Sequence, residues 1–192
     1  MLKTLISACV AAMLAACGGG GSEGGTATVV GPLTKYAGKY SFCSGAEKIT
    51  VTLTVSNGGN DASMQQQSEY FALAGCAGAV VGLETYSTAV ALRYLSTAPA
   101  QVHGYPAANS VATFAVDRVQ LSSPPITTSL TGTGVSVANG QTCVTHGSGR
   151  TCIDSLQAPR GQAEGGLFFT DLALVTVNAT ATGYERDLAL PR

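Results

Sequence analysis

The chain has 192 residues, with ten Lys and Arg against eleven Asp and Glu, and only 11% of its residues are charged. Soluble domains carry roughly 25%; Gly, Ala, Ser and Thr fill the gap, a composition that suits extracytoplasmic β proteins with neutral, hydroxyl-rich surfaces. Near-neutral charge without a basic run excludes nucleic acid as an expected partner.

The first element is a leader. Met1, Leu2 and Lys3 form a short basic start, and residues 4–16 are uncharged and mostly apolar. That layout predicts a secretory signal peptide over 1–16. The apolar run is shorter than the about 20 residues a transmembrane helix needs. It closes in Leu14-Ala15-Ala16-Cys17, which resembles the lipobox of bacterial lipoproteins. The resemblance implies cleavage before Cys17, a diacylglyceryl thioether on its thiol and often a third acyl chain on the new amine. Several acyl chains anchor durably, because each buried methylene adds about 0.8 kcal/mol while one chain alone is marginal. The membrane, reached through this anchor, is the expected partner. Gly18 stands where an Asp would signal inner-membrane retention in the family, so the outer membrane is the expected destination.

Residues 17–31 read as the lipidated cysteine and a linker. The run GGGGSEGG from Gly18 to Gly25 is flexible coil that builds no core. About 14 such residues reach on the order of 20 Å, enough to stand a domain clear of lipid headgroups. The rest, 32–192, is long enough for one domain with its own core.

Of six cysteines, Cys9 leaves with the leader and Cys17 carries lipid. Cys43, Cys76, Cys143 and Cys152 remain, and an even set in an exported chain reads as disulfides with three possible connectivities. Pairing of sequence neighbours is favoured: Cys43 with Cys76, and Cys143 with Cys152. Loop entropy gives these about 3.7 and about 2.6 kcal/mol. A metal site is not expected, since no Cys-x-x-Cys occurs and only His146 lies near a cysteine. No cofactor is implied.

Strand signals follow. In 47–55, Ile49, Val51, Leu53 and Val55 alternate with Thr50, Thr52 and Thr54, the period of a half-buried strand. Asn57 to Asn60 supplies turn residues. Further strands are predicted over 68–73, 79–86, 88–95, 111–121 and 129–137, with a proline-containing loop over 99–109 and a break at Ser122-Ser123-Pro124-Pro125. Asn139-Gly140 is a hairpin turn signal. Residues 143–152 read as a closed loop or bridged hairpin, 159–166 as a loop, and 167–181 as one long strand or two short ones. No segment after the leader sustains helical spacing. The expectation is an all-β domain, an antiparallel sandwich or barrel.

Chemistry is sparse. His146, Ser148 and Asp154 are the right residue types for a nucleophile and its helpers, but the Gly-x-Ser-x-Gly elbow is absent because position 146 is His and position 150 is Arg. A Gly-Ser-Gly in a β protein reads as a tight turn. Gly132-Thr133-Gly134 lacks the third glycine of a dinucleotide fingerprint and reads as a weak strand or bulge. Tyr36 and Tyr40, if on one strand, share a face and suit core packing or a sugar platform. The segments YAGKYSFC and LFFTDLALV with the GYERDL tail are similar to those of small proteobacterial envelope lipoproteins; the similarity implies location and no activity. The expected function is a non-enzymatic, lipid-anchored envelope protein in a binding or structural role. The alternatives are a lipocalin-like carrier of an apolar ligand, needing a lined cavity of about 300 Å³, and a hydrolase using Ser148 and His146.

Overall fold

A computed structural model describes residues 30–153, 156–157 and 161–191. The expected leader, Cys9, Cys17 and the GGGGSEGG run lie outside the described residues, as does Asp154. The fold is all-β. Its strands are β1 (Gly38–Ser44), β2 (Glu47–Ser56), β3 (Asp61–Leu73), β4 (Ala77–Tyr86), β5 (Val90–His103), β6 (Val111–Ser123), β7 (Ile126–Thr131), β8 (Val135–Ala138), β9 (Gln141–His146), β10 (Gly149–Ile153), β11 (Leu156–Gln157), β12 (Gly161–Phe169), β13 (Ala173–Thr180) and β14 (Gly183–Pro191). Two 3-10 turns, Thr34–Tyr36 and Asn57–Gly59, are the only helical segments among the described residues. No helix among these residues is long and apolar enough to cross a membrane.

Pairing closes a circuit of five strands. β5 pairs with β6, β6 with β12, β12 with β13 and β13 with β14, all antiparallel. β14 then returns to β5 in parallel through Tyr184↔Val102 and Glu185↔His103. A meander, β1–β2–β3, joins this circuit where residues 61–64 of β3 pair with 90–93 of β5. Further along, β3 turns to β4, which pairs with β7. β8, β9 and β10 form a separate three-stranded sheet.

The middle of the wall β12–β13–β14, at residues 165–168 of β12 and 173–177 of β13, is buried on both faces. Phe168, Val175, Val177 and Tyr184 pack against Val102 and Val116 of the long β5–β6 hairpin, with Phe114 stacked on Phe168 at 4.5 Å. On the other face Leu167, Leu174 and Leu190 meet Val51, Leu53 and Ala62 of the meander, together with Leu33, Tyr36, Leu92 and Val119. Double burial explains why Ala173–Val177, apolar except for Thr176, shows no alternation, since alternation marks only strands with one wet face. Each fully buried Leu there stabilises by about 1.5–3 kcal/mol.

Several boundaries differ from the expected ones. β5 does not stop near residue 95 but runs through Pro99 to His103. Pro99 lies where β5 has a neighbour on one edge only, the place in a sheet that tolerates a missing N–H. β12 begins at Gly161, inside the expected 159–166 loop. The 129–137 segment is two strands in different sheets, divided at Gly132–Gly134; a Cβ on Gly132 would collide with the Val81 carbonyl oxygen, so the chain crosses there against β4. The 167–181 run is two strands, the second of the two expected alternatives, turned at Thr170, whose Oγ1 accepts the Ala173 N–H at 3.1 Å. Tyr36 precedes β1 in a 3-10 turn rather than sharing a strand with Tyr40; the Tyr40 hydroxyl donates to its carbonyl at 2.9 Å.

Candidate functional site

The cysteines give the first fixed points. Cys43 is bonded to Cys76 and Cys143 to Cys152. The second bridge joins residues directly opposite in the β9–β10 hairpin, so 143–152 is a bridged hairpin. Asn139 and Gly140 both take positive φ, at 53° and 78°, as a tight two-residue turn demands.

His146 and Ser148 sit at the tip of that hairpin, but not as a nucleophile and its base. His146 Nε2 lies 2.9 Å from Thr151 Oγ1, and Nδ1 faces the Ser148 backbone N–H at 3.3 Å. The imidazole stacks on Tyr70, ring centres 5.3 Å apart. A Cβ on Gly45 would come within 2.8 Å of Ser148 Oγ, so that hydroxyl packs into the β1–β2 turn. The geometry is that of a docked turn: Gly147 N–H donates to Phe71 O at 2.9 Å, Gly75 N–H to Gly45 O at 2.6 Å, and Phe71 N–H to Ala46 O at 2.8 Å. Among the described residues no group of three or more His, Cys, Asp or Glu converges as metal ligands would.

Two buried polar clusters escaped the sequence reading. In the first, Asp117 is 1% exposed. It accepts from Tyr36 Oη at 2.6 Å, Lys35 Nζ at 2.6 Å and Thr97 Oγ1. Burial would raise its pKa, but the donors from Lys35, Thr97 and Tyr36 outweigh that and hold it below the usual carboxylate value. Burial first, then Asp117, pushes the Tyr36 phenol upward. In the second, Glu84 accepts from Tyr70 at 2.6 Å and Tyr86 at 2.9 Å, and both phenols are pushed up by burial and by Glu84. The first cluster joins Asp117 to residues 20 and 81 positions away along the chain; the second joins neighbouring strands β3 and β4, and only their pairing shows that Tyr70 faces Glu84.

Open space lies beside the second cluster. A groove of about 500 Å³ opens at the end of the core between meander and wall. Its apolar lining includes Met64, Val90, Leu121, Ile126 and Leu188, and its polar lining includes Gln66, Tyr86, Asn178 and Asp187. Groups from β3, β4, β6, β13 and β14 thus converge on one concavity, the usual form of a small-molecule site. Glu164 reaches the rim, where Arg118 and Tyr184 bind it at 2.8 and 2.6 Å. Those two donors, Tyr184 foremost, hold its carboxyl below the usual range.

Comparison with protein-family models, curated proteins and solved structures found no match to the chain.

Proposed function

We propose that this chain is an exported envelope protein, held to the membrane by lipid on Cys17, whose disulfide-bridged β domain acts as a binding module with no chemistry of its own. The observation that carries this reading is Leu14-Ala15-Ala16-Cys17, set between an apolar leader and GGGGSEGG. Small residues let a peptidase approach the backbone, Cys17 supplies the nucleophile for acylation, and the glycines give the reach. Two disulfides support an oxidising compartment. The absence of Asp at position 18 favours the outer membrane.

Cell fractionation of wild type and Cys17→Ser tests the anchor. Wild type should run as the processed chain, sediment with outer membranes, resist high salt and dissolve in detergent. Cys17→Ser should keep its leader and run larger. If Cys17→Ser is trimmed like wild type and both are soluble, the leader is an ordinary signal peptide and the anchor reading fails.

One observation favours a carrier as a second reading. The groove's volume of about 500 Å³ exceeds the lower bound, about 300 Å³, of sites that enclose a small ligand.

A further inference from the structure

The groove owes its space to small residues on one strand. Alternate residues of a strand face the same way, so positions 161, 163 and 165 of β12 share the face of Leu167. They are Gly161, Ala163 and Gly165. Gly165 is tight against Leu121, whose Cδ1 would lie 2.8 Å from an added Cβ, while a Cβ on Gly161 would meet nothing within 4 Å. This face of β12 supplies little bulk, and Met64, Leu121 and Leu188 form an apolar floor that continues the core.

The groove's polar side comes from an irregularity in β14. Thr176 pairs with Leu188, but the next residue, Val177, pairs with Arg186. Asp187 is the extra residue. A bulge interrupts the ladder and re-aims a side chain; here the Asp187 carboxylate accepts from Thr176 Oγ1 at 3.2 Å and lines the groove. Gln66 and Asn178 line it too, and neither side chain has a hydrogen-bond partner among the described residues. The charged lining residues described are Glu164 and Asp187, with no Lys, Arg or His. Glu164 already has its cation in Arg118, whereas Asp187 has only the Thr176 hydroxyl among the described residues.

We propose that this groove binds an amphiphilic amine, with its apolar body on Met64, Val90, Leu121 and Leu188 and its ammonium on Asp187, where Gln66 and Asn178 offer carbonyl acceptors. The inference rests on the binding-module reading and names its ligand class. A fatty carboxylate would set like charge against Asp187, and a neutral alcohol would forgo the ion pair with that exposed carboxylate.

Calorimetric titration of the full chain in phosphatidylcholine nanodiscs, with empty discs subtracted, tests it with n-octylamine, 1-octanol and octanoate. Octylamine should bind tighter than either by about fivefold, the upper range for an exposed ion pair. Asp187→Asn should remove about that factor for the amine and leave octanol unchanged. Ala163→Phe, which fills the groove, should abolish binding of all three; melting curves establish that both variants are folded. If octanol or octanoate equals the amine, or Asp187→Asn changes nothing, while Ala163→Phe still abolishes binding, the amine class is overturned and the binding module stands. If no probe binds in a way that Ala163→Phe removes, the groove is overturned as a site, and the anchor is judged by fractionation alone.

Discussion

Asp117 shows how a single buried charge is made tolerable. Removing a carboxylate from water costs several kcal/mol, and the cost is offset only when good donors surround it. Lys35, Tyr36 and Thr97 do so, and the Tyr36 hydroxyl also reaches the Leu167 carbonyl at 3.0 Å. Lys35 and Tyr36 belong to the 3-10 turn before β1, while Thr97, Asp117 and Leu167 belong to β5, β6 and β12. The cluster therefore clamps the start of the domain onto its wall, next to the contacts of Gly31 and Leu33 with Gly58 and Gly59. Asp117→Asn should cost about 1.5–3 kcal/mol at neutral pH, the range for hydrogen bonds to a charged group. Because the folded pKa is lowered, the carboxylate's contribution is complete above its unfolded value and fades as pH falls through the folded one. Urea unfolding followed by circular dichroism should show wild type losing stability below about pH 4, with Asp117→Asn flatter over the same range. Parallel curves would contradict the clamp. The half-exposed Lys48–Glu69 pair at 3.4 Å is worth well under about 1 kcal/mol by comparison.

At the scale of elements, three turns meet at one end of the domain: Gly45–Ala46 between β1 and β2, the bend before Cys76, and Gly147–Ser148 between β9 and β10. Cys43–Cys76 ties two of them across a separation of 33 residues, while Cys143–Cys152 closes only 9. Loop entropy then ranks the bridges, at roughly 4 and roughly 3 kcal/mol. The double variant Cys43→Ser with Cys76→Ser should lower the urea midpoint more than Cys143→Ser with Cys152→Ser; the reverse order would show that strain or residual structure outweighs the loop term.

Sequence pattern was most legible where one face of a strand is wet. The alternation of Thr with Ile, Val and Leu at 47–55 lies within β2 as observed, and the 111–121 strand within β6. The pattern failed where other physics governs. Pro99 hid the continuation of β5, since a proline signals a break unless one strand edge is unpaired. The run from Gly161 to Gly166 reads as a loop because Gly and Ala lack strand propensity, yet those small side chains are what close packing against Leu121 and the neighbouring groove require. Leu172, 79% exposed, made the β12–β13 turn look like strand interior. The two disulfides were legible from cysteine type and spacing. The groove was not, because Gln66, Asn178 and Asp187 are brought together only by the fold, and the bulge that aims Asp187 has no local signature.

For the whole molecule, the parts form one consistent layout. In the proposed reading a leader ends at Cys17 and the glycine-rich run after it serves as tether; the β domain is held by two disulfides and presents a groove beside a polar cluster. The central claim is the division of labour among six cysteines: Cys9 discarded, Cys17 acylated, and the other four bridged. Intact and peptide-level mass spectrometry of the chain extracted from membranes, without reduction, tests it most directly. The expected result is an N-terminus at Cys17 carrying acyl mass, with Cys43 linked to Cys76 and Cys143 to Cys152. An unmodified Cys17, or free thiols at the other four, would contradict it.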